Sequence, residues 1–472
     1  MAAVTVSDNA TRSAPTQFSW LRSLRLGTFH IGSSFADILG SSIWNYVMAN
    51  GMAALGGFVA TPVTLLLALR QLLVPLTIWA GHLSDTHPLF GYRRLPYIWM
   101  GRALMLVSLP LLPIATTIIF SGNLLGWLLA LLSFVVYGIG TQISGSPFAA
   151  LVRDSAPKER SGQAYAVVQT VLVAAFAFSP LIYAQIARMV LPVYNPAKSG
   201  LAQYNLDIFW LATGVGCAIA LITWIFSVLG AEQRSLVQPV AAQHDDAKEF
   251  RVVLRAILKD ARTRSFFWLL ATGAMAGFGQ DGILEPSLRA VFGYNFGATQ
   301  AVVGVWGVGL LISLIGCIAL TRTWATVEQV KIARLGLVIS ALAMAWMAAT
   351  YVTVNVAMLW PSVFLFGIGF GMYTAGASPL LMVMSLDERA GAYLGLWSMA
   401  QLLFRGIGVA LGGVIYDIVS RVTGVLPLGY AAVFGLEAVG FAVCIYFLNR
   451  SDVRGFALGT QVPSTAALTL MD

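Results

Sequence analysis

Charge is scarce in this chain. Of 472 residues only 10% are Asp, Glu, Lys or Arg, against about 25% in a soluble domain of ordinary composition. That deficit excludes a large water-soluble protein. Cysteine is nearly absent. There are three, Cys217, Cys317 and Cys444, all in apolar runs, and an odd number so placed implies no disulfide framework. Histidine is limited to His30, His82, His87 and His244. No cluster of His and Glu has metal-ligand spacing, no glycine loop would cradle a phosphate, and no nucleophile has a base partner, so an enzyme is not expected. A cleavable leader is not expected either. The first 26 residues are mostly polar, and the first apolar stretch is too long for a signal core.

What the chain has is apolar length. It is 58% hydrophobic with a mean hydropathy of +0.80. A bilayer core about 30 Å thick takes about 20 apolar residues per helical span. Only helices or closed barrels satisfy their backbone there, and these runs are long rather than alternating, so helices are expected. The runs predict twelve spans, at 28–50, 58–82, 96–119, 124–149, 163–188, 207–230, 265–292, 298–320, 332–353, 357–382, 391–417 and 425–448. Residues 1–27 form an N-terminal tail, in which Trp20, Leu21 and Leu24 alternate with Arg22 and Arg25 and suggest a short interfacial helix. The polar stretch 231–264 separates a first half (28–230) from a second (265–448), and 449–472 is a C-terminal tail.

The net charge of +8 does not point to nucleic acid, because the basic residues fall in alternate loops. With the N-terminus cytoplasmic, 21 of the 28 Lys and Arg residues lie on the cytoplasmic side, the positive-inside pattern. Both termini are then cytoplasmic. The halves also repeat. YGIGTQISGSP (137–147) with KERSGQAY (158–165) matches FGIGFGMYTAGASP (366–379) with DERAGAYL (387–394). Gly138 maps to Gly367, and Glu159-Arg160 to Glu388-Arg389. Two parallel six-helix halves with a site between them at mid-membrane describe the major facilitator fold.

The loop after the second span reads GHLSDTHPLFGYRRLPYIW (81–99). Gly81, Asp85, Gly91, Arg93 and Arg94 match the G-x-L-x-D…G-x-R-R gate loop of major facilitators, with three additional residues between Asp85 and Gly91. Asp154, Glu159 and Arg160 fit the corresponding gate element after the fourth span, and Glu388 and Arg389 fit its repeat. A solvated basic turn is the plainer reading. With the added segment, SDTHPLFGYRRLPYIWMGR and the basic entry LRSLRLGTFHIG (21–32) resemble the PucC/LhaA group, the bacteriochlorophyll delivery family of purple phototrophic bacteria, and more nearly its LhaA branch. The likeness covers the chain apart from its tails. It implies a light-harvesting assembly factor on a major facilitator fold that delivers bacteriochlorophyll to core antenna polypeptides. The partners it implies are the bacteriochlorophyll synthase, the membrane insertion machinery and the antenna polypeptides. The alternative is a proton-coupled secondary transporter of a small amphiphile.

Charges within the predicted spans include Asp37, Arg70, Arg102, Asp281, Glu285, Arg289, Arg405 and Glu437. Each costs about 2.5–3.5 kcal/mol at the bilayer centre, so such groups face the bundle interior and pair. Asp281, Glu285 and Arg289 are four apart, the spacing of one helix face. Asp37, Arg70, Gln280, Asp281, Glu285, Arg289, Gln401 and Arg405 are candidates for a polar cavity, either a functional site or fixed ion pairs between helices. Arg102 is expected to snorkel toward the cytoplasmic face, and the twelfth helix, with Glu437, is expected to be peripheral. His30, His82 and His87 are the candidate axial ligands for a pigment magnesium. Most tryptophans, including Trp44 and Trp397, are expected in interface belts or facing lipid.

Overall fold

The computed structural model describes residues 18–53, 57–157, 160–190, 201–232, 254–255, 257–385 and 390–456. Glu159, Glu388, Arg389, His244, residues 1–17 and 457–472 of the tails, and most of the stretch between the halves lie outside them. Among the described residues all regular structure is helical apart from one bridge, Leu89 to Tyr92. Ten helical stretches among the described residues, from Ala60–Thr77 to Leu426–Phe456, are long and apolar enough to cross a membrane.

The predicted first and seventh spans are also helical, but each is interrupted near its middle. The tail helix α1 (Trp20–Gly27) precedes the first span, which runs as α2 (Phe29–Ile38), widens into a π-helical turn over Leu39–Ile43, and resumes as α3 (Trp44–Ala53). The seventh runs as α11 (Ala261–Phe278), tightens into a 3-10 turn over Gly279–Gly282, and resumes as α12 (Leu284–Phe292). Pro286 explains the second break. It has no N–H to give to residue 282, and its ring crowds that carbonyl. Asp281 therefore sits on the turn, and the single helix face expected for Asp281, Glu285 and Arg289 is not formed.

Between these paths lie α4 (Ala60–Leu72), α5 (Pro75–Thr86), α6 (Leu95–Ser108), α7 (Leu111–Phe120), α8 (Leu125–Asp154), α9 (Ser161–Val190) and α10 (Leu201–Val228). After them come α13 (Phe296–Thr321), α14 (Val330–Thr353), α15 (Leu359–Val383), α16 (Ala390–Thr423) and α17 (Leu426–Arg450). Pro75 and Pro110 end one helix and begin the next inside the predicted second and third spans.

Among the described residues two large apolar cores form, one mostly from residues 26–228 and one mostly from 257–453, with a small third cluster of Ala80, Tyr97 and Ile143. Trp44 and Trp397 are fully buried in them, which corrects their expected place at the interface. Trp44 instead donates to Thr116 at 3.1 Å. The repeated glycines occupy equivalent contacts. A Cβ on Gly138 of α8 would stand 3.1 Å from the Arg70 backbone of α4, and one on Gly367 of α15 would stand 2.3 Å from the Trp306 carbonyl of α13. Close helix approach through small residues is what such positions permit.

The halves meet along α4 with α16 and α9 with α13. At one end they touch closely. A Cβ on Gly413 would lie 2.0 Å from Thr64, on Gly406 3.1 Å from Ala68, on Gly304 2.5 Å from Leu181 and on Gly307 2.6 Å from Ala177. Toward the end that carries Arg93, Arg94, Arg153 and Arg334, the basic face, they part. Gly395 lies three helical turns from Gly406 on the same face of α16, and a Cβ there meets nothing within 4 Å. Ala166 and Thr170 share the face of Ala177 and are exposed. Ile315 (51%) and Ile318 (58%) share the faces of Gly304 and Gly307. The result is a wedge, sealed at one end and open at the basic face.

Candidate functional site

Polar side chains gather at the apex of the wedge. Arg70 of α4 donates to Asp37 Oδ1 of α2 at 2.8 Å, and the Tyr137 hydroxyl donates to the same oxygen at 2.8 Å. Gln142, one turn on from Gly138, donates to the Arg70 carbonyl at 3.1 Å. In the other half Arg405 of α16 pairs with Asp281 at 2.9 Å and lies over the Phe278 ring, 3.9 Å from its centroid. Gln401 stands one turn from Arg405 on the same helix face. The π turn after Asp37 and the 3-10 turn bearing Asp281 touch each other, so the two helix interruptions meet across the halves. Departures from α-helix of this kind are frequent at functional sites.

From there a ladder of hydrogen bonds closes the sealed end. Gln300 Nε2 donates to Ser42 at 3.0 Å, Asn45 donates to Glu285 at 3.1 Å, and Arg289 Nε donates to Asn50 at 3.0 Å. Gln280 and Glu285 are buried, at 4% exposure each. Asp417 completes the seal. Its carboxylate accepts from the backbone N–H of Ala60 at 2.9 Å and of Thr61 at 2.7 Å, and from the Thr61 hydroxyl at 2.5 Å. A carboxylate at a helix N-terminus meets unsatisfied donors and the positive end of the helix dipole. Sequence reasoning missed Asp417 because it ends a predicted span and looks solvated.

At the basic face the loop residues do come together. Arg94 reaches Asp85 at 2.9 Å and Asp154 at 3.2 Å, and Arg93 lies 4.0 Å from Asp85. Glu232, which reads as the start of the polar stretch between the halves, instead caps α6. Its carboxylate accepts from the backbone N–H groups of Arg93 (2.9 Å), Arg94 (3.0 Å) and Leu95 (2.9 Å). Gly81 faces Ser146, whose Oγ would be 2.6 Å from a Cβ. Arg160 is exposed at the start of α9. The added segment forms a tight turn. Leu89 and Tyr92 exchange backbone hydrogen bonds at 2.9 Å, with φ of 55° at Phe90 and 80° at Gly91. Positive φ at both central residues is the type I′ geometry, and it holds Phe90 85% exposed.

Arg102 corrects the snorkelling expectation. It is 4% exposed, with its guanidinium 4.1 Å from the Phe29 centroid and 4.8 Å from that of Trp224. Cation–π contact stabilises it there, and Ser33 accepts from it at 3.2 Å. Of the histidines, His30 packs edge-on against Phe29 and Phe148. His82 and His87 are exposed on and beside the end of α5 at the mouth of the wedge. His82 follows Trp79, itself 55% exposed, by three residues on one side of the helix. Glu437 of the predicted twelfth span is 5% exposed and packs on Gly279, so that helix is not peripheral at this level.

Solved structures share this architecture. A mutant of the nucleoside transporter NupG aligns with a TM-score of 0.65 at 10% identity, covering 91% of this chain and all of that one. A POT family transporter in complex with 5-aminolevulinic acid aligns at 0.63 and 12%, covering 93% and 97%. The fold is thus the major facilitator fold. Among curated proteins, Protein PucC of Rhodovulum sulfidophilum is 26% identical, covering 84% of this chain and 85% of its own length. An uncharacterised protein of the puhA-bchM intergenic region of Rhodobacter capsulatus is 23% identical (89% and 84%). A protein named bacteriochlorophyll synthase 44.5 kDa chain, from the same species, is 25% identical (90% and 94%). The apolar helices and these bacterial relatives make the chain a multi-pass inner-membrane protein. The family described as PUCC protein matches from residue 45 to residue 456, and the chain belongs to that family.

Proposed function

We propose that this protein is an assembly factor for photosynthetic core antenna, which takes bacteriochlorophyll into the wedge from the basic, cytoplasmic face and passes it to nascent antenna polypeptides. The observation that carries the reading is the shape and chemistry of the wedge. Its walls diverge from Gly406 to Gly395 and from Ala177 to Ala166. They carry Ile315 and Ile318, and Trp79 stands at the mouth. The apex holds two ion pairs. An amphiphile with a large apolar body and a few polar substituents matches that distribution. Gaps between α4 and α16 and between α9 and α13 allow lateral exchange with the bilayer. Family membership and the name of one relative support the pigment as cargo.

His82 and His87 suit a first contact with the pigment magnesium, because they are exposed beside the mouth. His30, held between aromatic rings, suits it less. The synthase, the insertion machinery and the antenna polypeptides are the partners this role requires.

The alternative is a proton-coupled transporter of a small amphiphile. The half-buried ion pairs at the apex favour it, since they offer a polar site that two conformations would share. The test is the near-infrared absorption spectrum of protein purified in mild detergent from a phototrophic host, with a pigment extract for stoichiometry. About one bacteriochlorophyll per chain, lost in a Gly395→Trp variant that fills the wedge, supports delivery. A pigment-free protein alongside an intact control pigment protein favours transport.

A further inference from the structure

We propose that Glu437 is a proton-binding site, and that the 3-10 break in the seventh helical path responds to its occupancy. Glu437 is 5% exposed, and among the described residues neither carboxylate oxygen has a side-chain hydrogen-bond partner. The backbone N–H of Gln280 is directed toward it. The Gln280 side-chain oxygen is likewise buried without a donor. An ionised, unpaired carboxylate in such a place costs several kcal/mol, and the group takes up a proton instead. The packing leaves no space for a hydrated cation. Oε1 rests against Gly279, where even a Cβ would come within 2.6 Å, and Gly412 closes on the Gly279 carbonyl.

Among the described residues the surroundings supply no free counter-charge. On the seventh path, beyond Arg262 and Arg264 in its first turn, the charged groups are Asp281, Glu285 and Arg289. Asp281 is held by Arg405, Glu285 by Asn45, and Arg289 is bonded to Asn50. On α16 the only charge between Gly395 and Tyr416 is Arg405. On α14, packed along α17, no titratable side chain occurs between Arg334 and Tyr351. On α17 itself Tyr430 and Cys444 stand two turns away on either side. From α15, Phe366 and Phe370 face Phe441, one turn from Glu437.

Arg405 makes the site a switch. It is a quarter exposed and its Nε has no acceptor. Loss of the Glu437 proton puts a second negative charge close to Asp281, the partner of Arg405. Asp281 rides on the 3-10 turn, and that turn touches the π turn of the first path and Thr64 of α4. Protonated Glu437 therefore leaves Arg405 on Asp281 and the seal closed, and deprotonation loosens both. This holds whether the cargo is a pigment or another amphiphile.

Infrared spectra of the full chain in lipid nanodiscs test the site. At neutral pH the wild type is expected to show a protonated-carboxyl band that Glu437→Gln removes and Glu437→Asp shifts. An unchanged band in Glu437→Gln overturns the assignment, as does a band that disappears in Glu285→Gln instead. A band that appears only when sodium is withdrawn overturns it in favour of a cation. Spin labels at Leu124→Cys and Val422→Cys, both exposed at the sealed end, test the coupling. Their separation is expected to lengthen as pH rises in the wild type and to stay short in Glu437→Gln. An equal pH response in both proteins, or none in either, overturns the coupling.

Discussion

Asp37 and Arg70 are joined at 2.8 Å across two helices of the first half, and Tyr137 gives its hydroxyl to the same carboxylate oxygen. Removing one partner strands the other in an apolar bundle. Arg70→Ala is expected to destabilise the protein by roughly 2–3 kcal/mol, less than a fully buried pair because Asp37 keeps some access to the wedge. The double variant Asp37→Asn with Arg70→Ala is expected to recover part of that loss. Thermal unfolding in detergent of both single variants and the double gives the coupling. Additive effects would mean that the pair is not an energetic unit.

Asp417 fixes the sealed end by capping α4 from α16. Asp417→Asn keeps one acceptor and loses the charge, a change worth about 1–2 kcal/mol at a helix N-terminus. The expected result is easier opening rather than unfolding. Thr64 is fully buried between Gly282 and Gly413, so a Thr64→Cys thiol reports on the seal. Its reaction with a water-soluble thiol reagent is expected to be several-fold faster when Asp417 is Asn. An unchanged rate would assign the seal to the Asn45, Asn50 and Gln300 contacts instead.

The helices and their grouping were legible because apolar length admits few solutions in a bilayer. The membrane-embedded charges were legible for a related reason, since their cost forces them inward. Their partners were not. Spacing placed Asp281 with Glu285 and Arg289, whereas Pro286 breaks the helix and turns Asp281 toward Arg405. Arg102 carried no signal of its cage, because Phe29 and Trp224 lie far away in the chain. Asp417 and Glu232 were lost for the opposite reason. Acidic residues at the ends of apolar runs normally meet water, and only the packed structure brings a helix N-terminus to each.

Glu232 gathers three backbone N–H groups at the start of α6, beside the Asp85–Arg94–Asp154 cluster. Glu232→Ala is expected to cost about 1–2 kcal/mol, the range for a lost cap. Arg94 then loses its fixed position, so antenna levels are expected to fall in cells although the protein still inserts. Membrane near-infrared absorbance and immunodetection of the variant separate the two effects. A normal antenna level with a lowered unfolding midpoint would leave Glu232 with a purely structural role.

Phe90 is held at a φ of 55° and 85% exposed at the tip of a tight turn. A non-glycine, bulky residue in the left-handed region costs about 1 kcal/mol, and asparagine tolerates that region better. Phe90→Asn is therefore expected to raise stability by up to about 1 kcal/mol. If the aromatic tip serves contact with a partner at the basic face, the same variant lowers antenna assembly while its unfolding midpoint rises. Stability and function moving in opposite directions is an outcome that simple damage to the fold does not produce. Parallel measurement of unfolding in detergent and antenna absorbance in membranes decides it. Raised stability with unchanged assembly would leave the turn as a shaped connection that only positions Arg93 and Arg94.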